Sequence, residues 1–252
     1  MSIKDIFFEK PEESSESKID FTFISKILKE KYTYYFALIL ILLLSFWIRI
    51  QNLNLLKGKF LLGLDPYAYF RYTAEVLEVG KYAAFDVMRR APIGTPHSFD
   101  AFPYMLAAWD KLVMFFGQTQ MFAHIIYPAV FGVIGFVFFF LFAKELFNTK
   151  IALVATAFLA VIPPYLYRTL SGFADHEALA MMFMFAALWT FVLAFKEEKL
   201  KRKYIFSVLS GILTLLMAVS WVGYPFLTIP IAMFAVLSLF FNRADRQFTL
   251  LY

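Results

Sequence analysis

Two runs of this chain, residues 112–143 and 204–242, contain no Asp, Glu, Lys or Arg over 32 and 39 residues. Three more, 32–48, 151–167 and 178–195, are free of these charges over 17, 17 and 18 residues. A helix crosses a bilayer with about 20 apolar residues, range roughly 17–25. Inside the bilayer every backbone polar group must be satisfied internally, which a helix does by itself. The runs therefore predict an all-α polytopic membrane protein. Composition agrees: 61% of residues are hydrophobic and only 17% charged, against about 25% charged in an ordinary soluble domain. A disordered chain, a nucleic-acid-binding domain and most soluble enzymes are excluded, so nucleic acid is not an expected partner. With no Cys in the chain, thiolate chemistry and disulfides are excluded as well.

The 39-residue run is too long for one span and breaks at Ser220-Trp221-Val222-Gly223-Tyr224-Pro225. The 112–143 run is interrupted by Gly117, Gln118, Thr119 and Gln120. Either 121–143 alone crosses, with a surface helix over 103–117 bounded by Pro103 and Gly117, or 103–117 crosses too. Charge placement decides. With six spans and the N-terminus inside, segments 1–31, 144–150, 196–203 and 242–252 are cytoplasmic and hold 6, 2, 5 and 2 Lys/Arg, or 15 of 24. With seven, the lysine-rich segment Lys196–Lys203 would face outward. The expected spans are 32–50 and about 121–143, 150–168, 177–195, 204–221 and 225–241, with a large extracytoplasmic loop over 51–120 containing helices. Residues 1–31 read as a cytoplasmic tail with an interfacial helix, its apolar face made by Phe23, Ile24, Ile27 and Leu28. The last residues before Tyr252 read as the start of a further, truncated span, so a fragment of a longer protein is expected. The location is a cell membrane, crossed several times.

Two places outside the bilayer concentrate unusual residues. In the large loop, Asp65-Pro66 reads as the opening of a helix running to about Val79 before Gly80. Helix capping is a sufficient structural reason for Asp65. In the turn before the fourth span, Arg168, Asp175, His176 and Glu177 crowd one membrane face. Asp175 has the same capping alternative, and Glu177 suits the positive end of the helix. Against that stands the crowding itself, since ionisable groups at such a boundary often form a site. Asp65, Asp175 and Glu177 supply three hard oxygen donors on one side of the membrane, a set that suits Mg²⁺ or Mn²⁺. His176, the middle residue, points elsewhere. An ion held there fits phosphate or pyrophosphate chemistry as a Lewis acid. His97 lies in a polar stretch where a structural turn is the simpler reading, and His124 reads as a hydrogen-bonded residue early in the second span.

These residues resemble a known family. Asp65-Pro66-Tyr67-Ala68-Tyr69-Phe70-Arg71 looks like the first-loop motif of the catalytic subunit of oligosaccharyltransferase. Tyr167 to Glu177 looks like its second acidic motif, in the archaeal branch. Tyr127-Pro128-Ala129-Val130-Phe131-Gly132 and Ser220-Trp221-Val222-Gly223-Tyr224 are similar to family segments at the same places. The resemblance implies a GT-C-type transmembrane helix bundle. It also implies en bloc transfer of an oligosaccharide from a polyprenyl (dolichyl) phosphate or pyrophosphate to Asn in Asn-x-Ser/Thr. Carried over, Asp65 is a metal ligand and activates the acceptor amide, Asp175 and Glu177 complete the Mg²⁺ or Mn²⁺ site, and Arg168 orients the carboxylates. Arg71, His97 and Trp221 become candidates for substrate contact, with His176 behind them. The family continues through further spans and a soluble domain with a Trp-Trp-Asp motif that binds the acceptor's Ser/Thr. That motif is absent here, so the expected partners are lipid-linked oligosaccharide, an acceptor polypeptide, membrane lipid and a C-terminal half of the same protein. Two rivals remain. Another GT-C glycosyltransferase using a lipid monophosphate sugar would need Asp65 but not Asp175 and Glu177. A transporter would place ionisable groups near the bilayer midplane, where this chain has charge-free runs.

Overall fold

The computed structural model describes residues 31–241. The expected tail helix within 1–30 and the expected further span after 242 lie outside the described residues. The chain folds into helices α1 (Lys31–Arg49), α2 (Leu53–Leu56), α3 (Asp65–Val79), α4 (Phe102–Phe115), α5 (Gln120–Leu146), α6 (Thr149–Val161), α7 (Pro163–Arg168), α8 (Glu177–Lys196), α9 (Leu200–Ser220) and α10 (Pro225–Phe240). Four segments are long and apolar enough to cross a membrane: Tyr32–Leu56, α5, α8 and α9. The apolar helices α6 and α10 are shorter. The all-α polytopic expectation holds, with one small addition. Phe85–Asp86 (β1) pairs antiparallel with Thr95–Pro96 (β2) as a two-stranded ribbon in the large loop.

Local chemistry explains most boundaries. α5 starts where the Thr119 hydroxyl accepts from Phe122 N at 3.1 Å, and α6 where Asn148 Oδ1 accepts from Ile151 N at 3.0 Å. α3 ends at Gly80, whose φ of +80° closes the helix in the left-handed region that glycine adopts without strain. The stretch expected as one span over 150–168 is instead two helices. Ile162 takes an extended conformation, φ −62° and ψ 123°, because the ring of Pro163 disfavours helical geometry in the residue before it.

α8 is the central helix. It packs along α5 on one side and α9 on the other, while α6 lies against α5 and α1. Small buried residues on α8, namely Ala178, Ala180, Ala186, Ala187 and Ala194, let its neighbours approach closely. At one end of the bundle the large loop forms a cap. Leu56, Leu61, Phe102 and Leu106 from the loop meet Ile125, Tyr127, Ala174, Ala178 and Leu179 in one apolar cluster. That cluster holds the loop against the turn between α7 and α8.

Candidate active site at the loop end of the bundle

The two acidic motifs meet directly. Leu62 N donates to Gly172 O at 2.8 Å. Gly63, two residues before Asp65, lies against the Phe173 ring, which a Cβ at that position would approach to 3.6 Å. One helical turn beyond Asp65, the Tyr69 hydroxyl lies 2.5 Å from His176 Nε2. Nδ1 of that ring lies 2.7 Å from Ser220 O. A carbonyl only accepts, so in the neutral ring Nδ1 carries the proton and Nε2 accepts from the phenol. His176 thus joins three segments, and it does not point clear of the acidic motif as expected, since Nε2 also lies 3.4 Å from Asp175 Oδ1.

Asp65 stands at the start of α3 but caps nothing: the helix has no side-chain cap bond. Its carboxylate is exposed and has no hydrogen bond or ion pair among the described residues. The capping explanation is therefore not realised. Asp175 is buried, and its Oδ1 accepts from His176 N at 2.8 Å. Its carbonyl accepts at 3.1 Å from the hydroxyl of Tyr127, which also accepts from Leu179 N at 3.1 Å. Glu177 meets Arg168, with Nη1 to Oε1 at 3.0 Å, and Arg168 lies over the Phe173 ring at 4.8 Å. The other oxygen, Glu177 Oε2, is buried without a hydrogen-bond partner. Among the described residues no three His, Asp or Glu side chains stand close enough together to hold one ion. Tyr69 nevertheless feels several of these carboxylates. Burial first, then Asp100, Asp175 and Asp65, push its hydroxyl well above the usual tyrosine range.

Arg71 and His97 gather around Asp86. Arg71 Nη2 lies 2.5 Å from Asp86 Oδ2, the Tyr72 hydroxyl donates to the same oxygen at 2.5 Å, and His97 Nε2 is 3.7 Å away. Met88 N and Arg89 N donate to Asp86 Oδ1 at 2.9 and 3.2 Å. The Arg71 guanidinium, ahead of the other donors, holds the Asp86 carboxyl far below the usual carboxylate range. Trp221 lines a cavity of about 220 Å³ beside the motifs, together with Tyr69, Tyr82, His97, Asp100 and His176. Its floor is tied to the loop by Ala101 N donating to Val219 O at 2.9 Å. Burial raises the Asp100 carboxyl above its ordinary value. His124 is fully buried, its Nδ1 3.2 Å from Asp110 Oδ1. Sequence reasoning missed Asp86, Asp100 and Arg49. The last had a signal, a lone cation at the end of an apolar run; the other two had none before the loop was folded.

The family described as oligosaccharyl transferase STT3, N-terminal, matches residues 36–252. The chain is 33% identical over 213 residues to dolichyl-phosphooligosaccharide-protein glycotransferase 2 of Archaeoglobus fulgidus, covering 82% of this chain and 34% of that protein. It is 27% identical over 184 residues to the dolichyl-diphosphooligosaccharide–protein glycosyltransferase subunit stt3 of Schizosaccharomyces pombe, covering 69% of this chain and 24% of that one. The chain thus spans about a third or less of the length of these relatives. Its fold matches the apo oligosaccharyltransferase of Archaeoglobus fulgidus with a TM-score of 0.77 at 24% identity, over 89% of this chain and 28% of that one. The GT-C-type bundle expected from sequence is therefore the fold observed. An archaeal oligosaccharyltransferase structure from the same organism, AglB in complex with an inhibitory peptide and a dolichol-phosphate, matches at 0.74 with 24% identity, over 88% of this chain and 28% of that one. With a family match over nearly the whole sequence and both acidic motifs at one face of the bundle, the chain belongs to the oligosaccharyl transferase STT3 family, within that family's N-terminal region.

Proposed function

We propose that this chain supplies the acidic half of an active site that transfers an oligosaccharide en bloc from a dolichyl phosphate or pyrophosphate to Asn in Asn-x-Ser/Thr. It does so as part of a longer protein, with the loop end of the bundle outside the cell membrane and the N-terminus in the cytoplasm. The observation that carries this reading is the junction of the two motifs, Leu62 to Gly172 and Tyr69 to His176. It brings the segment that opens at Asp65 against the segment that carries Asp175. The relatives' names and the bound dolichol-phosphate and peptide of AglB support the same substrates.

An amide nitrogen is a poor nucleophile because its lone pair is delocalised into the carbonyl. Asp65, with no partner of its own among the described residues, is available to accept a hydrogen bond from the acceptor amide and favour twisting of its C–N bond. Arg168 fixes Glu177 from one side, and the His176 amide fixes Asp175 from the other. By its chemistry, and not by its spacing in this structure, the donor set suits a hard divalent cation: all three groups are carboxylates, and Glu177 Oε2 is a buried oxygen without a partner. Bound by Asp65, Asp175 and Glu177, Mg²⁺ or Mn²⁺ would supply Lewis-acid stabilisation to the departing phosphate. The cavity lined by His97, Trp221 and Asp100 takes the polar part of a substrate, with Arg71 holding the ribbon that walls it.

The test is transfer by the full-length protein from a dolichol-linked oligosaccharide to an Asn-x-Thr peptide, read as glycopeptide by mass spectrometry with and without Mn²⁺. Glycopeptide that disappears on chelation and returns with Mn²⁺ or Mg²⁺ supports the reading. Transfer to a hydroxyl or lipid acceptor instead would replace it.

A further inference from the structure

We propose that Arg49 is a positioning residue for the Arg168–Glu177 segment, acting through Thr169 and the Ser171 amide. The proposal rests on the transfer reading above. Arg49 closes the first apolar helix and is fully buried. No carboxylate pairs with it among the described residues. A buried cation without an anion is costly at a membrane-spanning helix, and an apolar side chain of similar volume is often no worse for stability. Packing alone is therefore a poor explanation for arginine here.

What the guanidinium does is hold separate segments together. Nε donates to Thr169 Oγ1 at 2.8 Å. Nη1 donates to Ser45 Oγ at 2.7 Å, Ser45 O at 3.2 Å and Ala160 O at 3.0 Å. The plane lies over Phe136, 4.7 Å from the ring centre. The backbone of the same residue continues the grip, since Ser171 N donates to Arg49 O at 2.9 Å, and Asn52 Nδ2 donates to Ser171 O at 2.7 Å. Thr169 passes the constraint on by donating to Tyr165 O at 2.7 Å.

The gripped turn has little room to move. A Cβ on Gly132 would come within 2.9 Å of Thr169, and one on Gly172 within 2.8 Å of Leu56. Gly172 N also donates to Ile125 O at 2.7 Å. Arg168 emerges exposed on one side of this turn, and Asp175 and Glu177 follow on the other. Lysine ends in one nitrogen and cannot reach Thr169, Ser45 and Ala160 as a planar fork does.

The experiment uses the full-length protein, purified as a monodisperse species, with R49K, R49Q, T169V and T169S. It measures kcat and KM for an Asn-x-Thr peptide, and Mn²⁺ binding by electron paramagnetic resonance without substrates. R49K, R49Q and T169V should each lower kcat by about 10- to 100-fold, with a similar weakening of Mn²⁺ binding and little change in peptide KM, because the loss is one of alignment. T169S keeps the hydroxyl and should behave as wild type. Wild-type kcat and Mn²⁺ affinity in folded R49K or T169V would overturn the proposal. So would failure of both to fold, which would assign Arg49 to stability alone. A wild-type protein that transfers nothing would count against the transfer reading, while its Mn²⁺ titrations would still report on Arg49.

Discussion

The Tyr69 hydroxyl and His176 Nε2 lie 2.5 Å apart although 107 positions separate them in sequence. They are the direct side-chain link between the helix that begins at Asp65 and the segment that carries Asp175 and Glu177. Because Nδ1 of the ring is engaged with Ser220 O at 2.7 Å, the end of α9 is drawn into the same junction. Burial, ahead of the nearby carboxylates, raises the phenol above the usual tyrosine range, so it is the donor to the neutral ring.

Tyr69→Phe removes that donor and keeps the ring contacts. Its cost in stability should be about 1 kcal/mol, the usual net worth of one hydrogen bond. Transfer by the full-length protein should fall more than this suggests, by about 10-fold, because two halves of one site lose their alignment. A thermal melt and a turnover measurement on the same preparation separate the two effects. Unchanged turnover would show that the junction does not govern catalysis.

Asp65→Asn preserves volume and removes the charge. Since Asp65 caps nothing, the melt should shift by no more than about 0.5 kcal/mol, as for a surface substitution. Transfer should fall by about 10³-fold, the scale of losing a key electrostatic group. Glu177→Ala should retain more activity, particularly at high Mn²⁺, since Asp65 remains. Near-normal transfer by Asp65→Asn would remove Asp65 from the chemistry.

The Asp86 lock makes a prediction about pH. Its folded pKa is lowered, chiefly by Arg71. A lowered folded value contributes stability that is fully present above the carboxyl's ordinary range and is lost as pH falls through the folded value. The 85–97 ribbon should therefore stay closed at pH 4, where ordinary carboxylates are already half protonated. Asp86→Asn should open it at neutral pH by about 2 kcal/mol, the scale of hydrogen bonds to a charged group, or roughly 30-fold faster amide exchange in 87–97. Opening of the wild-type ribbon between pH 5 and 4 would contradict the lock.

The proposed sidedness rests on charge placement and is open to chemistry because the chain has no native Cys. Cysteines at the exposed positions Lys81, Tyr167 and Glu198 disturb no packed glycine or buried group. Lys81→Cys and Tyr167→Cys should react with an impermeant maleimide on intact cells, and Glu198→Cys only after permeabilisation. Labelling of Lys81→Cys and Tyr167→Cys from opposite sides would end the six-span scheme.

Much of the helical framework was legible in the residues. Pro66 with Gly80 bounded α3 at Asp65–Val79, and Pro103 with Gly117 bounded α4. These are local signals: a fixed φ that suits a helix start, and a glycine that accepts positive φ beyond its end. The Pro163-Pro164 pair carried the same kind of signal, and the break at Ile162 follows from it. The apolar runs determined that the chain is a membrane bundle, because in a bilayer only the helix satisfies a lone segment's backbone.

The site divides along the same line. Asp65 stood out as the acid that opens a loop helix, and Arg168, Asp175 and Glu177 as charges crowded between two apolar runs, and their motifs carried the family resemblance. That they share a face was decided by tertiary structure, through Leu62 on Gly172, Tyr69 on His176 and Arg49 on Thr169, 120 positions away. Asp86 held by Arg71, and Asp100 sunk beside His176, gain their meaning only once the loop is closed. Local sequence sets the backbone preferences of one segment at a time. Which side chain satisfies which buried polar group depends on how the segments stack, and that is a property of the whole packed bundle.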